Sequence, residues 1–182
     1  MTGPLVAAGH AVTVLGSDAS CEARVREWTG TGRARFLASD LLAPPLPDRS
    51  HDVVLSYRLL PHVRRWPELV ATLARLARLA VLVDYPTRRS VNAAADLLFG
   101  LKKGVEGNTR PFTVFSDAEI EGAFAGHGLS PTGRRPQFLF PMALHRGLGS
   151  AGLARALEGA ASALGLTRAL GSPVILRLER RG

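Results

Sequence analysis

The sequence predicts one α/β domain spanning residues 1–182, built on a mostly parallel sheet. Three observations carry this. Apolar runs at His10–Leu15, Ala34–Ser39, Asp52–Leu60 and Ala80–Asp84 are too short for helices and are bounded by turn-forming residues, so they read as buried strands. Between the last two, Leu69, Leu73, Leu76 and Leu79, with Val70 and Ala77, recur at helical spacing, the strand–helix–strand alternation of a parallel sheet. Polar residues then stand where these strands end, at Asp18, Asp40 and Asp84-Tyr85, which places them on the sheet edge where open α/β folds bind ligands.

In chain order, Met1–Ala8 reads as the end of a helix, closed by Gly9 in the C-terminal position that tolerates left-handed backbone. The strand His10–Leu15 exits through Gly16-Ser17 to Asp18. Residues 19–29 form a modest helix with Ser20 as a plausible N-cap and Trp28 placed to pack on the sheet. Cys21 in that helix reads as a small buried side chain. Asp40 closes the next strand, a proline-broken loop ends at Pro47-Asp48, and Pro61-His62 closes the strand after it. Pro67 suits the first turn of the following helix, where its missing N–H is no loss.

Beyond Pro86 the pattern changes. Ser90 caps a predicted helix to Leu101, and a polar loop runs from Glu106 to Thr113. Ser116-Asp117-Ala118-Glu119 is a capping box that opens a helix ending at Gly126-His127-Gly128. Thr132–Phe140 and Pro173–Glu179 are candidate strands. Residues 142–170 are helical in pattern but interrupted by five glycines, the signature of a small helical subdomain or lid.

The composition excludes several classes. With 182 residues and 46% hydrophobic content the chain can bury a real core. No apolar run approaches a membrane span and no signal-like N-terminus is present, so a soluble, cytoplasmic protein is expected. The lone Cys21 forbids an intrachain disulfide and a cysteine zinc site, and the five histidines lack metal-ligand spacing, so no metal is expected. The formal charge of +8 is mainly C-terminal, with eight arginines beyond Glu121 against Glu158 and Glu179. They are scattered and not interleaved with aromatics, so nucleic acid is not an expected partner.

Arg35–Val63 organises the rest: a strand ending in Asp40, a loop ending Leu46-Pro47-Asp48, then Asp52-Val53-Val54-Leu55-Ser56, a short turn, His62, and a helix opening Trp66-Pro67. In residue class and spacing this resembles the middle of class I S-adenosylmethionine-dependent methyltransferases, from about Leu5 to Asp84. The resemblance implies a Rossmann-like, mostly parallel sheet with helices on both faces and a small C-terminal helical insertion. Residues 86–170 would then include substrate-side helices. The family's glycine-rich loop is not in this sequence. On this alignment the chain starts inside the first helix and lacks the first strand, so an N-terminally truncated member is expected, inactive by itself.

The resemblance also implies roles. S-adenosylmethionine would be the cofactor, with Asp18 accepting from the ribose hydroxyls, Asp40 accepting from the adenine amino group, and Leu41 offering its backbone N–H to the ring. Either aspartate could instead be only a helix N-cap. Methyl transfer from a sulfonium needs alignment and exclusion of water more than catalytic side chains. If the small-molecule acceptor is a hydroxyl or amine, His62 is the candidate general base; a local turn contact is the competing reading. Tyr57, Arg58, Tyr85 and Arg110 could line the acceptor pocket. The alternative function is a non-catalytic protein that keeps the scaffold and acts as a partner or stabilising subunit.

Overall fold

A computed structural model describes residues 1–90, 112–140 and 149–180. The predicted helix after its Ser90 cap, most of the Glu106–Thr113 loop including Arg110, and residues 141–148 lie outside them. The chain forms two compact units, Met1–Pro47 and Asp48 onward.

In the first unit, helix α1 (Thr2–Ala7) ends as its glycine demands. Gly9 adopts φ 89°, its N–H donates to the Val6 carbonyl, and the His10 N–H donates to Leu5, the paired bonds of a Schellman motif. Strand β1 (Val12–Gly16) pairs in parallel with β2 (Ala34–Ala38), in register from Val12 opposite Ala34 to Gly16 opposite Ala38. The connection is a 3₁₀ helix, Ala19–Arg24, and a single turn of α-helix, α2 (Arg26–Thr29). Its cap is Asp18 and not Ser20: the Asp18 carboxylate accepts the Ser20 N–H, because a side chain two residues upstream is the one that can reach that donor. Trp28 packs on α1, its indole lying 3.0 Å from where a Gly3 Cβ would be. The absence of a side chain at Gly3 lets the ring approach the helix.

The second unit holds a four-stranded sheet in the order β3-β4-β6-β5. Strands β3 (His51–Ser56) and β4 (Ala77–Tyr85) are parallel; β6 (Ser172–Arg180) runs antiparallel to both β4 and β5 (Leu129–Phe138). Helix α3 (Trp66–Leu76) buries Leu69, Val70, Leu73 and Leu76. The core continues through Val81 and Val83 of β4, Leu176 and Leu178 of β6, and Ile120 and Phe124 of α4 (Asp117–Ala125). The capping box that opens α4 is complete, with Ser116 and Glu119 each bonding the other's backbone N–H.

Three predicted boundaries move. The leucine stripe continues to Leu79, but α3 stops at Leu76 and Ala77 already pairs with His51, leaving Leu79 55% exposed on a strand. Sheet pairing overrides a helical pattern that local spacing alone favours. Strand β3 ends at Ser56 and not Leu60, since Arg58 turns to φ 56° and Leu60–His62 coil into a 3₁₀ turn. The expected helical stretch at 142–170 contains α5 (Ala151–Ala163) and α6 (Leu166–Leu170), separated by Gly165 at φ 75°.

Candidate functional site

The first unit brings the two sequence-predicted cofactor carboxylates together. The final register pair of β1 and β2 is Gly16 opposite Ala38, and Asp18 and Asp40 each lie two residues beyond it, at the C-terminal edge of adjacent parallel strands. The Ser39 N–H donates to the Gly16 carbonyl at 2.9 Å, which carries the pairing past the last strand residue. Both side chains are exposed. One oxygen of each is already used: Asp18 Oδ1 accepts from the Ser20 N–H at 2.7 Å, and Asp40 Oδ1 accepts from the Leu42 N–H at 2.9 Å. Bonds from the Ser20 side chain and backbone hold the Asp18 carboxyl below its ordinary range, so it is charged at neutral pH. An ionised carboxylate has about four lone-pair sites, so each retains acceptors for hydroxyl or amino donors. Leu41 is half-buried beside Asp40. Gly16 is required here: a Cβ would stand 2.7 Å from the Phe36 ring and 3.0 Å from the Cys21 Cβ.

The second unit has its own C-terminal strand edge. Tyr57 and Arg58 follow β3, and Asp84 is the penultimate residue of β4. Asp84 Oδ1 accepts the Arg58 backbone N–H at 2.6 Å, fastening the β3 exit to the β4 exit. A few residues on, the Pro61 carbonyl accepts the Thr113 N–H at 2.9 Å. Thr113–Phe115 in turn runs beside the end of β4, with the Phe115 N–H donating to Pro86 and the Arg88 N–H donating to Phe115. The exposed His62 ring lies 5.6 Å from the Phe112 ring, centroid to centroid, and Phe112 is itself 56% exposed. Burial pushes the Asp84 carboxyl up, and burial with the adjacent Asp84 charge pushes the Tyr57 phenol up.

Tyr85 faces the other way. Its ring is fully buried, edge-on to Phe115, and its hydroxyl donates to Asp117 Oδ1 at 2.8 Å. Arg134 and Thr87 complete that cluster around Asp117. The position is legible in hindsight, since Tyr85 shares the period-two face of Val81 and Val83. Sequence reasoning placed Asp84 at the strand exit but gave it no role. Its signal was a carboxylate at the end of an otherwise apolar strand, one residue off the core-facing parity.

Solved structures that share this fold include methyltransferases and a protein named for another reaction. The structure matches the Burkholderia thailandensis 1,6-didemethyltoxoflavin-N1-methyltransferase, solved with S-adenosylhomocysteine, at TM-score 0.60 and 12% identity, covering 100% of this chain and 66% of that one. It matches the Synechocystis PCC 6803 magnesium protoporphyrin IX methyltransferase, also holding S-adenosylhomocysteine, at TM-score 0.58 and 15% identity, covering 98% of this chain and 80% of that one. The [4+2]-cyclase SpnF shares the fold at TM-score 0.57 and 13% identity, over 94% of this chain and 66% of that one. No curated protein matches the chain by sequence. The architecture is thus the Rossmann-like fold of class I S-adenosylmethionine-dependent methyltransferases. Residues 2–80 match the family model described as a methyltransferase domain.

Proposed function

We propose that this protein transfers a methyl group from S-adenosylmethionine to a small-molecule acceptor. The observation that carries the reading is the equal offset of Asp18 and Asp40 beyond the Gly16–Ala38 pair, inside the residues that match the methyltransferase domain. Two exposed carboxylates one strand apart suit a nucleoside with hydroxyl donors at one end and an amino donor at the other. Leu41 would contribute its backbone N–H to the ring.

On the acceptor side the candidates are Tyr57, Arg58 and His62, on the turn that leaves β3, with Arg110 and Tyr85 as further sequence candidates. Tyr85 would act from the core, through Asp117, and not by contact. His62 would serve as base for a hydroxyl or amine acceptor. The reading also includes a strand and glycine-rich loop upstream of Met1, completing the cofactor site. Among the described residues β3 is paired on one edge, by β4, and β1 on one edge, by β2, so each offers backbone groups to a further strand.

Calorimetry with S-adenosylhomocysteine tests this on the chain as it stands and with about 40 upstream residues added, enough for a strand, a loop and the start of a helix. Binding is expected in the extended form and weakened about tenfold or more by Asp18→Ala, with a smaller loss for Asp40→Ala. Unchanged affinity in both variants removes the cofactor assignment. An upstream sequence with no strand and no glycine loop, and no binding in either form, favours a non-catalytic partner on the same scaffold. SpnF, named for a different reaction, shows that the fold alone does not fix the chemistry.

A further inference from the structure

Asp84 is the only charged side chain that is buried among the described residues, at 7% exposure. Burying a carboxylate is costly unless its oxygens are satisfied, so its partner identifies its task. That partner is the backbone N–H of Arg58, 2.6 Å away and 26 residues earlier. Among the described residues Arg58 is one of two non-glycine residues with positive φ, at 56°, a conformation that L side chains rarely adopt. The residues on either side need the turn to be held. Ser56, at its root, is buried with an Oγ that has no partner, and Leu60, at its far end, is fully buried. The segment between them carries Tyr57, Arg58 and, just beyond, His62. Its second fastening, the Thr113 N–H donating to the Pro61 carbonyl, lies at the far end, and among the described residues Asp84 is the side chain that fastens the Arg58 end.

We propose that Asp84 is a positioning residue for the acceptor side of the site: by accepting the Arg58 N–H it locks the turn after β3 in its left-handed form, so that Tyr57, Arg58 and His62 are presented together at the strand edge. This rests on the methyl-transfer reading for the purpose of the turn, though not for its mechanics. The acceptor atom is what the turn requires, so asparagine can replace aspartate there while alanine cannot. Glycine adopts the left-handed region unaided, so Arg58→Gly relieves the need for the lock.

Two readouts test this on the full chain. Amide hydrogen exchange across residues 57–63 is expected to quicken about tenfold or more in Asp84→Ala, to stay near the wild-type rate in Asp84→Asn, and to return toward it in Asp84→Ala/Arg58→Gly. The second readout is the near-ultraviolet phenolate titration. The chain has two tyrosines, and burial together with the Asp117 bond pushes the Tyr85 phenol well up, so the earlier transition is assigned to Tyr57 and checked in Tyr85→Phe. Removing the neighbouring charge in Asp84→Asn is expected to lower that midpoint, a change that a purely structural role at a distance would not produce. Unchanged exchange in Asp84→Ala, or Asp84→Asn behaving like alanine, overturns the proposal. If Asp84→Ala does not fold, an unmoved Tyr57 midpoint in Asp84→Asn overturns it instead. S-adenosylhomocysteine affinity, measured on the same variants in the form extended by about 40 upstream residues, is a separate arm: its absence in the extended wild type refutes the methyltransferase reading and leaves the turn result standing.

Discussion

Replacing Arg180 with methionine is expected to destabilise the second unit by about 2 to 3 kcal/mol, the worth of one well-made charged hydrogen bond with its neighbours partly replaced by water. Arg180 is the last described residue of β6, and its guanidinium reaches three backbone carbonyls. Nη2 donates to Ala74 at 2.7 Å and to Ala77 at 3.2 Å, and Nη1 donates to His127 at 3.2 Å. Ala74 is in the last turn of α3, Ala77 caps it, and His127 follows the end of α4. Helix C-termini present unpaired carbonyls and the negative end of the backbone dipole, so a cation there both satisfies acceptors and offsets charge. Only the Ala74 bond is short, and the groove beside the guanidinium, lined by Arg49, Gly128 and Ser130, is open enough for water to take over the two longer ones. Methionine keeps much of the apolar stem and removes the donors. Arg180→Lys, a point charge that reaches one carbonyl at a time, should lose about half as much. Urea unfolding at neutral pH, with wild type and both variants at matched salt, measures the difference. A loss below about 0.5 kcal/mol for Arg180→Met, the range of an ordinary surface substitution, would refute the account of Arg180 as a clamp on two helix ends.

Tyr85→Phe removes the buried hydroxyl from Asp117, which keeps Arg134 and Thr87, so a loss of about 1 to 2 kcal/mol in the same unfolding experiment is expected. Gly171→Ala would drive a Cβ into the Thr167 carbonyl oxygen and to 2.9 Å from the Pro136 Cβ, neither of which is a flexible side-chain end; a cost of about 1 to 3 kcal/mol should appear as a lower Tm. Asp84 also gives a pH signature. Burial raises its folded-state pKa above the unfolded value of 3.8, so the folded form binds the proton more tightly and stability from this group is fully present below about pH 3.8 and lost as pH rises through the folded pKa. Asp84→Asn removes that dependence, so its Tm relative to wild type should climb as pH is raised from about 3 to 7. A constant difference across that interval would show that Asp84 is not desolvated in the folded state.

The residues that the sequence decides are those whose partners lie within a few positions. Gly9 closes α1 because a left-handed residue lets its own N–H and that of His10 reach back to Val6 and Leu5. Ser116 and Glu119 open α4 because three residues separate a cap from its reciprocal partner. Asp18 and Asp40 stand at strand exits because short apolar runs end there, and one turn of chain can be read from spacing alone. Even so, local reading put the cap at Ser20 where it is Asp18, since both residues have a suitable oxygen and only the actual turn shows which one accepts.

Tertiary structure decided the rest. Whether Leu76 or Leu79 ends α3 depends on where Ala77 meets His51, a choice made by a strand more than twenty residues away. Tyr85 and Asp84 are neighbours, both buried, with different partners because a strand alternates its faces: Tyr85 bonds Asp117 and Asp84 bonds the Arg58 N–H. Arg180 lies just past the strand that the sequence predicts, Pro173–Glu179; in the fold it is bonded to a carbonyl 106 residues away. Such contacts are invisible in a linear pattern because hydrogen bonds and burial depend on distance in space, while periodicity and capping depend only on distance along the chain.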